Sequence, residues 1–414
     1  MPEKQKNIII AGAGFAGISV ALHLAKHIRT IPGYTIILID RNQSQLYTPA
    51  LYETAAIPKE FVSDSSLKSS ILIPVRDIVD GKPISFISDE IVGLTPSAKE
   101  LRLRTTGILR YKYLVLALGS ETNYFNIPGL QEWSFPLKTF MDGVGLRNAV
   151  EEVAKRKDHL RVVVGGAGAS GVEMISEFIG FMCELQKEIL PKKKICDAEF
   201  LLLEAAPTIL PGFNPAVITR GEKRLKQLGI AIRTDTAIMA VEERSIVLKT
   251  GERIAYDILL WTGGVTGPAL YKTLGLPVSP KGVLIVDEHL CVQKFCGSLF
   301  AAGDNASVTS PETGKPLPGN VPVAEQEGRL AATNILRTIR HQPPKCISAA
   351  KKYPFILAVG RRYAIADLVF FRFWGLPGWF AKQLVELSYL LRILPTRKAL
   401  AVWWNILRYY SKDS

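Results

Sequence analysis

Two stretches of the chain carry the same hydrophobic pattern. Residues Asn7-Ile8-Ile9-Ile10-Ala11 form a short apolar run, too short for a helix and rich in β-branched side chains. Such a run predicts a strand covered on both faces, leading here into a Gly-rich turn and a helix. The next run, Thr35-Ile36-Ile37-Leu38-Ile39, ends on an acid, Asp40. The pattern returns at Leu160-Arg161-Val162-Val163-Val164 and at Glu199-Phe200-Leu201-Leu202-Leu203, which ends on Glu204. Each set closes with a buried strand running into glycine, Tyr113 to Ser120 in the first and Ile258 to Gly264 in the second. The chain is therefore read as a domain-scale repeat of βαβ units, an α/β protein with two Rossmann-like domains.

The turns give the repeat its chemistry. Gly12-Ala13-Gly14-Phe15-Ala16-Gly17 and Gly166-Ala167-Gly168-Ala169-Ser170-Gly171 both follow a strand and open a helix. In this fingerprint the first glycine makes the tight turn and the second lets backbone amides approach a pyrophosphate. The third lets helix and strand pack closely. Asp40 and Glu204 are placed to accept ribose hydroxyls, and a carboxylate there repels a 2′-phosphate. Two fingerprints imply two dinucleotides. The second acid lies further from its glycines than usual, and the extra length around Pro191-Lys192-Lys193-Lys194 is read as an extended helix and loop.

Further on, Ser298 to Asn305 reads as a strand entering the turn Gly303-Asp304, then a Pro/Gly-rich loop from Pro311 to Pro322 and a helix from about Val323 to Arg340. In the tail, Phe380, Leu384, Leu387, Leu391 and Leu394 recur at helical spacing, with Lys382, Gln383 and Glu386 off the stripe. Pro395 breaks that helix, and Thr396 is placed to cap the next. A second stripe follows, Leu400, Trp403, Trp404, Leu407 and Tyr410, edged by Arg397, Lys398 and Arg408.

Charge sharpens the reading of the tail. The whole chain of 414 residues carries a net charge of +13, and from Arg361 onward there are nine Lys/Arg against three acids. Four of the six tryptophans lie there as well, so apolar stripes, indoles and cations coincide. That combination suits helices lying in an anionic lipid interface; packing on the body or a dimer seam is the alternative. Nucleic acid fits less well, because the cations accompany apolar stripes. No run of about 18 apolar residues exists, so no transmembrane helix is expected. The apolar stretch after Met1 is accounted for as strand, turn and helix, so no signal peptide is expected either. The five cysteines, Cys183, Cys196, Cys291, Cys296 and Cys346, show no CxxC pair and no zinc spacing. They are read as thiols of a reducing compartment, most of them inert in the core, with no metal site. No cysteine precedes Cys183, which argues against dithiol relay chemistry in the first domain.

These residues resemble the type II NADH:quinone oxidoreductases, within the flavoproteins that bind two dinucleotides. The likeness runs through Gln45 to Ala55, Leu114 to Gly119, Thr122 to Leu130 (with Asn126 where a glycine is usual), Pro136 to Thr139, Gly165 to Glu177, Glu204 to Phe213, Trp261 to Val265 and Ala301 to Asp304. The resemblance implies FAD on Gly12, Ala13, Gly14, Phe15, Ala16, Gly17, Asp40, Arg41, Thr48, Pro49, Ala117, Gly119, Gly303, Asp304, Val321 and Pro322. It implies NAD(H) on Gly166, Gly168, Ala169, Ser170, Gly171, Glu204, Gly263 and Gly264. The implied layout is an FAD domain at 1–125 and 266–340, an NADH domain at 126–265 and a membrane-association segment at 341–414. Glu173, early in the second fingerprint helix, matches the family's glutamate near the stacked nicotinamide and flavin. Its ordinary role would be to complement the helix dipole.

The implied reaction is hydride transfer from NADH to FAD and then two electrons to a membrane quinone, on the cytoplasmic face of the cell membrane, without proton pumping. The partners are the quinone, anionic lipid and, in the dimer-seam alternative, a second copy of the chain. One departure bears on the acceptor: Val321-Pro322 stand where the family has an Ala-Gln pair. Oxygen or a small electron carrier as acceptor, sulfide as donor, and a non-catalytic redox-sensing flavoprotein therefore stay open.

Overall fold

A computed structural model describes residues 6–61, 63–312, 314–348 and 353–410. The chain forms two compact units. The first comprises residues 6–45, 73–121 and 265–353, and the second 46–72, 122–264 and 354–410.

The first unit is built on a five-stranded parallel sheet in the order Leu299–Ala301, Tyr113–Leu116, Lys6–Ala11, Tyr34–Asp40, Ile84–Ser88. Ile8, Ile9 and Ile10 are completely buried because successive residues feed opposite cores. Ile8 and Ile10 join Ile36, Leu38 and Val115 on one face, while Ile9 and Ala11 join Ile39, Leu114 and Leu116 on the other. An apolar run without alternation is what such a doubly covered strand requires. An antiparallel sheet, Ile91–Thr95, Glu100–Leu103 and Gly107–Arg110, is inserted before the fourth strand in chain order. The helix Val321–Ile339 crosses Phe15–His27 so closely that a Cβ on Gly328 would stand 2.4 Å from the Ala16 carbonyl oxygen.

The second unit repeats this plan. Its parallel sheet runs Ala231–Arg233, Glu199–Leu203, Arg161–Gly165, Ile258–Trp261, with Val162 opposite both Phe200 and Ile258. Its own antiparallel insert is Ile238–Glu242, Ser245–Leu248 and Arg253–Ala255. The α/β duplication read from the hydrophobic pattern is thus present in full. The long interval before Glu204 is filled by the helix Ala169–Glu184, a π-helical turn Leu185–Ile189 and a short 3-10 turn Ile195–Asp197.

The second unit also contains the tail: an antiparallel sheet of Phe355–Ala358, Ala364–Asp367 and Arg372–Gly375, then helices Leu376–Ile393 and Thr396–Tyr410. The first of these helices is inside out over its middle turns, while Tyr389, Leu390 and Ile393 further along are buried. Lys382, Gln383 and Glu386 are buried, whereas Leu384 is 64% exposed and Phe380, Val385 and Leu391 are also exposed. On the last helix Trp404 is 63% exposed, while Ile406 is buried. Thr396 is the first helical residue, not a cap before it. The side chain of Tyr410, the C-terminal end of the second stripe, lies outside the described residues, as do residues 411–414. Among the described residues no helix is long and apolar enough to cross a membrane.

Two of the five cysteines are not thiols. Cys183 and Cys196 form a disulfide with Cα atoms 4.5 Å apart. The π-helical turn and the loop after it fold back and bring these positions together, which the linear spacing of the cysteines conceals. The reading of the cysteines as thiols of a reducing compartment, mostly in the core, is corrected accordingly: two are paired and only Cys291 is buried. Cys291 is a buried thiol, and Cys296 and Cys346 are exposed ones.

Candidate dinucleotide sites

The two glycine turns are built alike, bond for bond. In the first, the Gly12 amide donates to the Ile39 carbonyl at 2.7 Å and the Ala13 amide to Asp40 Oδ2 at 2.7 Å, while Asp40 Oδ1 accepts from the Asn42 amide at 2.7 Å. In the second, the Gly166 amide donates to the Leu203 carbonyl at 2.8 Å, the Ala167 amide to Glu204 Oε2 at 2.6 Å, and the Ala206 amide to Glu204 Oε1 at 2.9 Å. Each acid therefore ties its strand end to its fingerprint. A carboxylate offers about four lone-pair positions, so both retain acceptor capacity for ribose hydroxyls.

The glycines divide their duties as the fingerprint requires. Gly12 and Gly166 have φ of +109° and +98°, a region that favours glycine. A Cβ on Gly17 would stand 1.8 Å from the Gly12 carbonyl oxygen, and one on Gly171 would stand 2.0 Å from that of Gly166. A Cβ on Gly14 or Gly168 would meet nothing within 4 Å. The middle glycine thus faces open space on the side where a diphosphate approaches. Neither Phe15–His27 nor Ala169–Glu184 has a side-chain cap or an acid in its first turn. The amides and positive dipole end of each helix are left for an anion. These residues fit a bound dinucleotide at each turn.

Other sequence-predicted residues gather at the first turn. The Ala117 carbonyl is the group a Gly12 side chain would strike, at 2.2 Å. Gly119, at φ +73°, donates its amide to Asn305 Oδ1 at 3.1 Å, and Asn305 Nδ2 donates to the Leu116 carbonyl at 2.9 Å. Asp304 Oδ2 accepts from the Ser120 hydroxyl at 3.2 Å, and the Gly303 amide donates to Glu327 Oε2 at 2.6 Å. Burial pushes the Glu327 carboxyl up to about 8. Asn305 and Glu327 were given no role from the sequence, since their partners come from distant segments. Val321 and Pro322 begin the helix Val321–Ile339, capped by Asn320, whose Oδ1 accepts from the Val323 amide at 3.0 Å. Arg41 is exposed beside Asp40. Thr48 and Pro49 lie in the turn Thr48–Ala50 of the second unit.

In the second unit Gly263 abuts the fingerprint, its Cα 2.5 Å from where a Gly166 Cβ would be. The Thr262 hydroxyl donates to the Gly165 and Gly166 carbonyls at 3.2 and 2.9 Å. Gly264 leaves room for the Phe125 ring, which would stand 2.9 Å from a Cβ there. Phe125 and Asn126 both adopt positive φ, 50° and 54°, which explains why glycine is the expected residue at 126 and why asparagine serves instead.

Glu173 and the inside-out helix carry the unusual electrostatics. Burial pushes the Glu173 carboxyl up to about 8, against the pull of Lys382 and of the Ala358 amide, which donates to Glu173 Oε1 at 3.3 Å. Lys382 Nζ donates to Glu53 Oε1 at 2.6 Å and to Glu386 Oε1 at 2.7 Å, and the Tyr52 hydroxyl donates to Glu53 Oε1 at 3.0 Å. Burial alone would lower the Lys382 ammonium, but Glu386 and Glu53 outweigh it and hold it well above the ordinary lysine range. Burial likewise raises Glu386, and it raises the phenols of Tyr47 and Tyr52 well above theirs. Tyr47 stacks on Tyr389 at 5.5 Å between ring centroids. Apart from Glu173, none of these groups was singled out from the sequence for a role.

Residues 6–328 match the pyridine nucleotide-disulphide oxidoreductase family. The chain belongs to that family. This pyridine nucleotide-disulphide oxidoreductase is 25% identical over 355 residues to the type II NADH:quinone oxidoreductase of Staphylococcus saprophyticus, covering 83% of this chain and 85% of that one. It is 27% identical over 425 residues to a probable NADH dehydrogenase of Dictyostelium discoideum, covering 98% and 89%. Its fold is similar to that of NDH2 from Plasmodium falciparum, solved in complex with NADH, with a TM-score of 0.80 at 18% identity and 99% of both chains covered.

Proposed function

We propose that this family member is an FAD-dependent NADH:quinone oxidoreductase. The observation that carries the reading is the duplicated turn, with Asp40 and Glu204 each tied to its own fingerprint in the same way. The first turn would hold FAD on Gly12 to Gly17 and Asp40, with Gly119, Gly303, Asp304 and the start of Val321–Ile339 around it; Thr48 and Pro49 rest on the sequence resemblance alone. The second would hold NADH, with Glu204 selecting against a 2′-phosphate. FAD supplies a centre that accepts a hydride from NADH and releases two electrons to a quinone. The relatives named for quinone reduction support the acceptor.

Reducing a quinone to a quinol takes two electrons and two protons, whereas a hydride brings two electrons with one proton. On the family resemblance, Glu173, whose carboxyl burial pushes up to about 8, would supply the missing proton. The Tyr52, Glu53, Lys382 and Glu386 group beside it sets the local charge.

The same reading places the protein on an anionic membrane surface. The hairpin between Ala364–Asp367 and Arg372–Gly375 presents Phe370, 89% exposed, and Phe371 beside it. Its turn is held by Asp367, which accepts from the Val369 amide at 3.0 Å and from Arg372 Nε at 2.8 Å. With Trp374, Phe380, Leu384 and Trp404 also exposed and the tail strongly basic, the surface suits acyl chains edged by phosphate headgroups. The expected location is the cytoplasmic face.

The test is anaerobic sequential mixing of the FAD-loaded protein, first with NADH or NADPH, then with a water-soluble quinone. Rapid flavin bleaching by NADH in preference to NADPH, followed by rapid reoxidation, is the expected result. Bleaching followed by sluggish reoxidation would move the acceptor to oxygen or a small carrier and implicate Val321-Pro322. No bleaching would overturn the dehydrogenase reading.

A further inference from the structure

We propose that Asp287, Cys291 and Cys296, in the first unit, form a site for a thiophilic divalent cation of the zinc class. Asp287 Oδ, Cys291 Sγ and Cys296 Sγ all lie within 4.8 Å of one another. Two thiolates and a carboxylate are a donor set that zinc and cadmium prefer over calcium or magnesium. Donors around a tetrahedral zinc stand roughly 3.3–3.8 Å apart. Cys296 Sγ and Asp287 Oδ2 already stand 3.8 Å apart.

The surrounding backbone orients these donors. Asp287 Oδ1 accepts from the amides of His289 at 2.9 Å and Cys291 at 2.8 Å, which fixes the carboxylate and leaves Oδ2 to face Cys296. Cys291 Sγ accepts the Gly297 amide at 2.9 Å, a bond that compensates the charge of a thiolate. The loop is closed by the amides of Val292 and Ala301, which donate to the carbonyls of Leu299 and Leu290 at 2.9 and 3.0 Å. Leu290 and Lys294 adopt positive φ, 67° and 70°, so the chain holds conformations that L-residues seldom take in order to keep this loop compact. Cys291 is buried and Cys296 exposed, which gives three protein donors with a side open to water, the usual plan of an accessible zinc site.

The sequence reading missed this site. Four residues separate Cys291 from Cys296, at the upper end of zinc-ligand spacing, and the third donor comes from an acid four residues upstream. The site adjoins the strand Leu299–Ala301, which leads directly to the Gly303-Asp304 turn. A bound cation would brace that turn from outside the dinucleotide site.

The experiment is titration of the full-length, FAD-loaded, metal-free protein with Co2+ under anaerobic conditions, followed by displacement with Zn2+. The d–d bands of tetrahedral cobalt lie to the red of flavin absorption. One equivalent with a thiolate-type tetrahedral spectrum is expected, displaced by Zn2+, together with a higher unfolding temperature. Cys296→Ser should abolish the spectrum, and Asp287→Asn should weaken binding at least tenfold. Cys346→Ser should leave it unchanged, although Cys346, Glu288 and His289 form a neighbouring group of potential donors. Cys296 is exposed, so its serine variant keeps the test readable if Cys291→Ser fails to fold. Absence of binding in the wild type, or a spectrum that survives Cys296→Ser, would overturn the proposal. So would binding lost only in Cys346→Ser. An intact mass showing a Cys291–Cys296 disulfide in place of metal would assign the pair to thiol exchange instead.

Discussion

Lys382 and Glu53 are 329 residues apart in the chain, yet Nζ and Oε1 meet at 2.6 Å inside the second unit. Glu386 completes a buried triad of two carboxylates on one ammonium. Removing one partner of a buried ion pair leaves its counter-charge unsolvated and typically costs about 3–5 kcal/mol. Lys382→Met should therefore lower stability by about that much, read as a reduced midpoint of urea unfolding followed on the second unit. An unchanged midpoint would mean that water reaches the triad in solution.

Burial raises the Glu173 carboxyl from 4.5 to about 8. The folded protein then retains a proton that the unfolded chain loses, so this group's contribution to stability diminishes as pH rises from about 4.5 to about 8. In catalysis the acid form is the useful one. Quinone-driven reoxidation of the reduced flavin should fall above about pH 8, while hydride uptake from NADH should not follow the same curve. Glu173→Gln should flatten that pH dependence and slow reoxidation by about 10²-fold, the low end of what general acids contribute. A wild-type profile level through pH 9 would remove Glu173 from the proton path.

The glycines of the second fingerprint should separate folding from binding. A Cβ at Gly168 meets no protein atom within 4 Å, so Gly168→Ala should fold normally and raise the NADH dissociation constant about tenfold, about 1.4 kcal/mol. A Cβ at Gly171 would stand 2.0 Å from the Gly166 carbonyl oxygen, so Gly171→Ala should destabilise the unit by about 1–3 kcal/mol or more. Thermal melts and NADH titration of both variants decide it; equal melting losses would show that the open side of Gly168 is not open in solution.

The hairpin tip makes a separate prediction about lipid. Phe370 and Phe371 contact little of the protein, so Phe370→Ser/Phe371→Ser should leave the melting temperature within a degree or two, as for most surface changes. Co-sedimentation with anionic vesicles should fall several-fold, and neutral vesicles should bind the wild type poorly. Equal sedimentation of variant and wild type would exclude the tip from the contact.

Much of this was legible in the sequence because the parallel strands have a single physical solution. Ile8 to Ile10 and Val162 to Val164 are apolar without alternation, and the glycine spacing between strand and helix is tied to a turn geometry that few residues adopt. Glu327, Asn305 and the Lys382 triad were not legible, because each depends on which distant segment lands opposite a polar side chain. The tail shows the limit most clearly. Periodicity located the helix Leu376–Ile393 and its apolar stripe, but periodicity does not say which face is turned inward. Lys382 and Glu386 face inward because Glu53 and Tyr52 meet them there. The disulfide was hidden for a similar reason: the fold of the twelve intervening residues, not local spacing, brings Cys183 to Cys196.

An inside-out helix also cannot be discarded like an anchor. Trimming the chain before Leu376 to gain solubility would strip away the greasy exterior together with the only cation that Glu53 bonds among the described side chains. What looks from the sequence like a detachable foot is, from within the second unit, a plug, and the first casualty of its removal would be the core it closes.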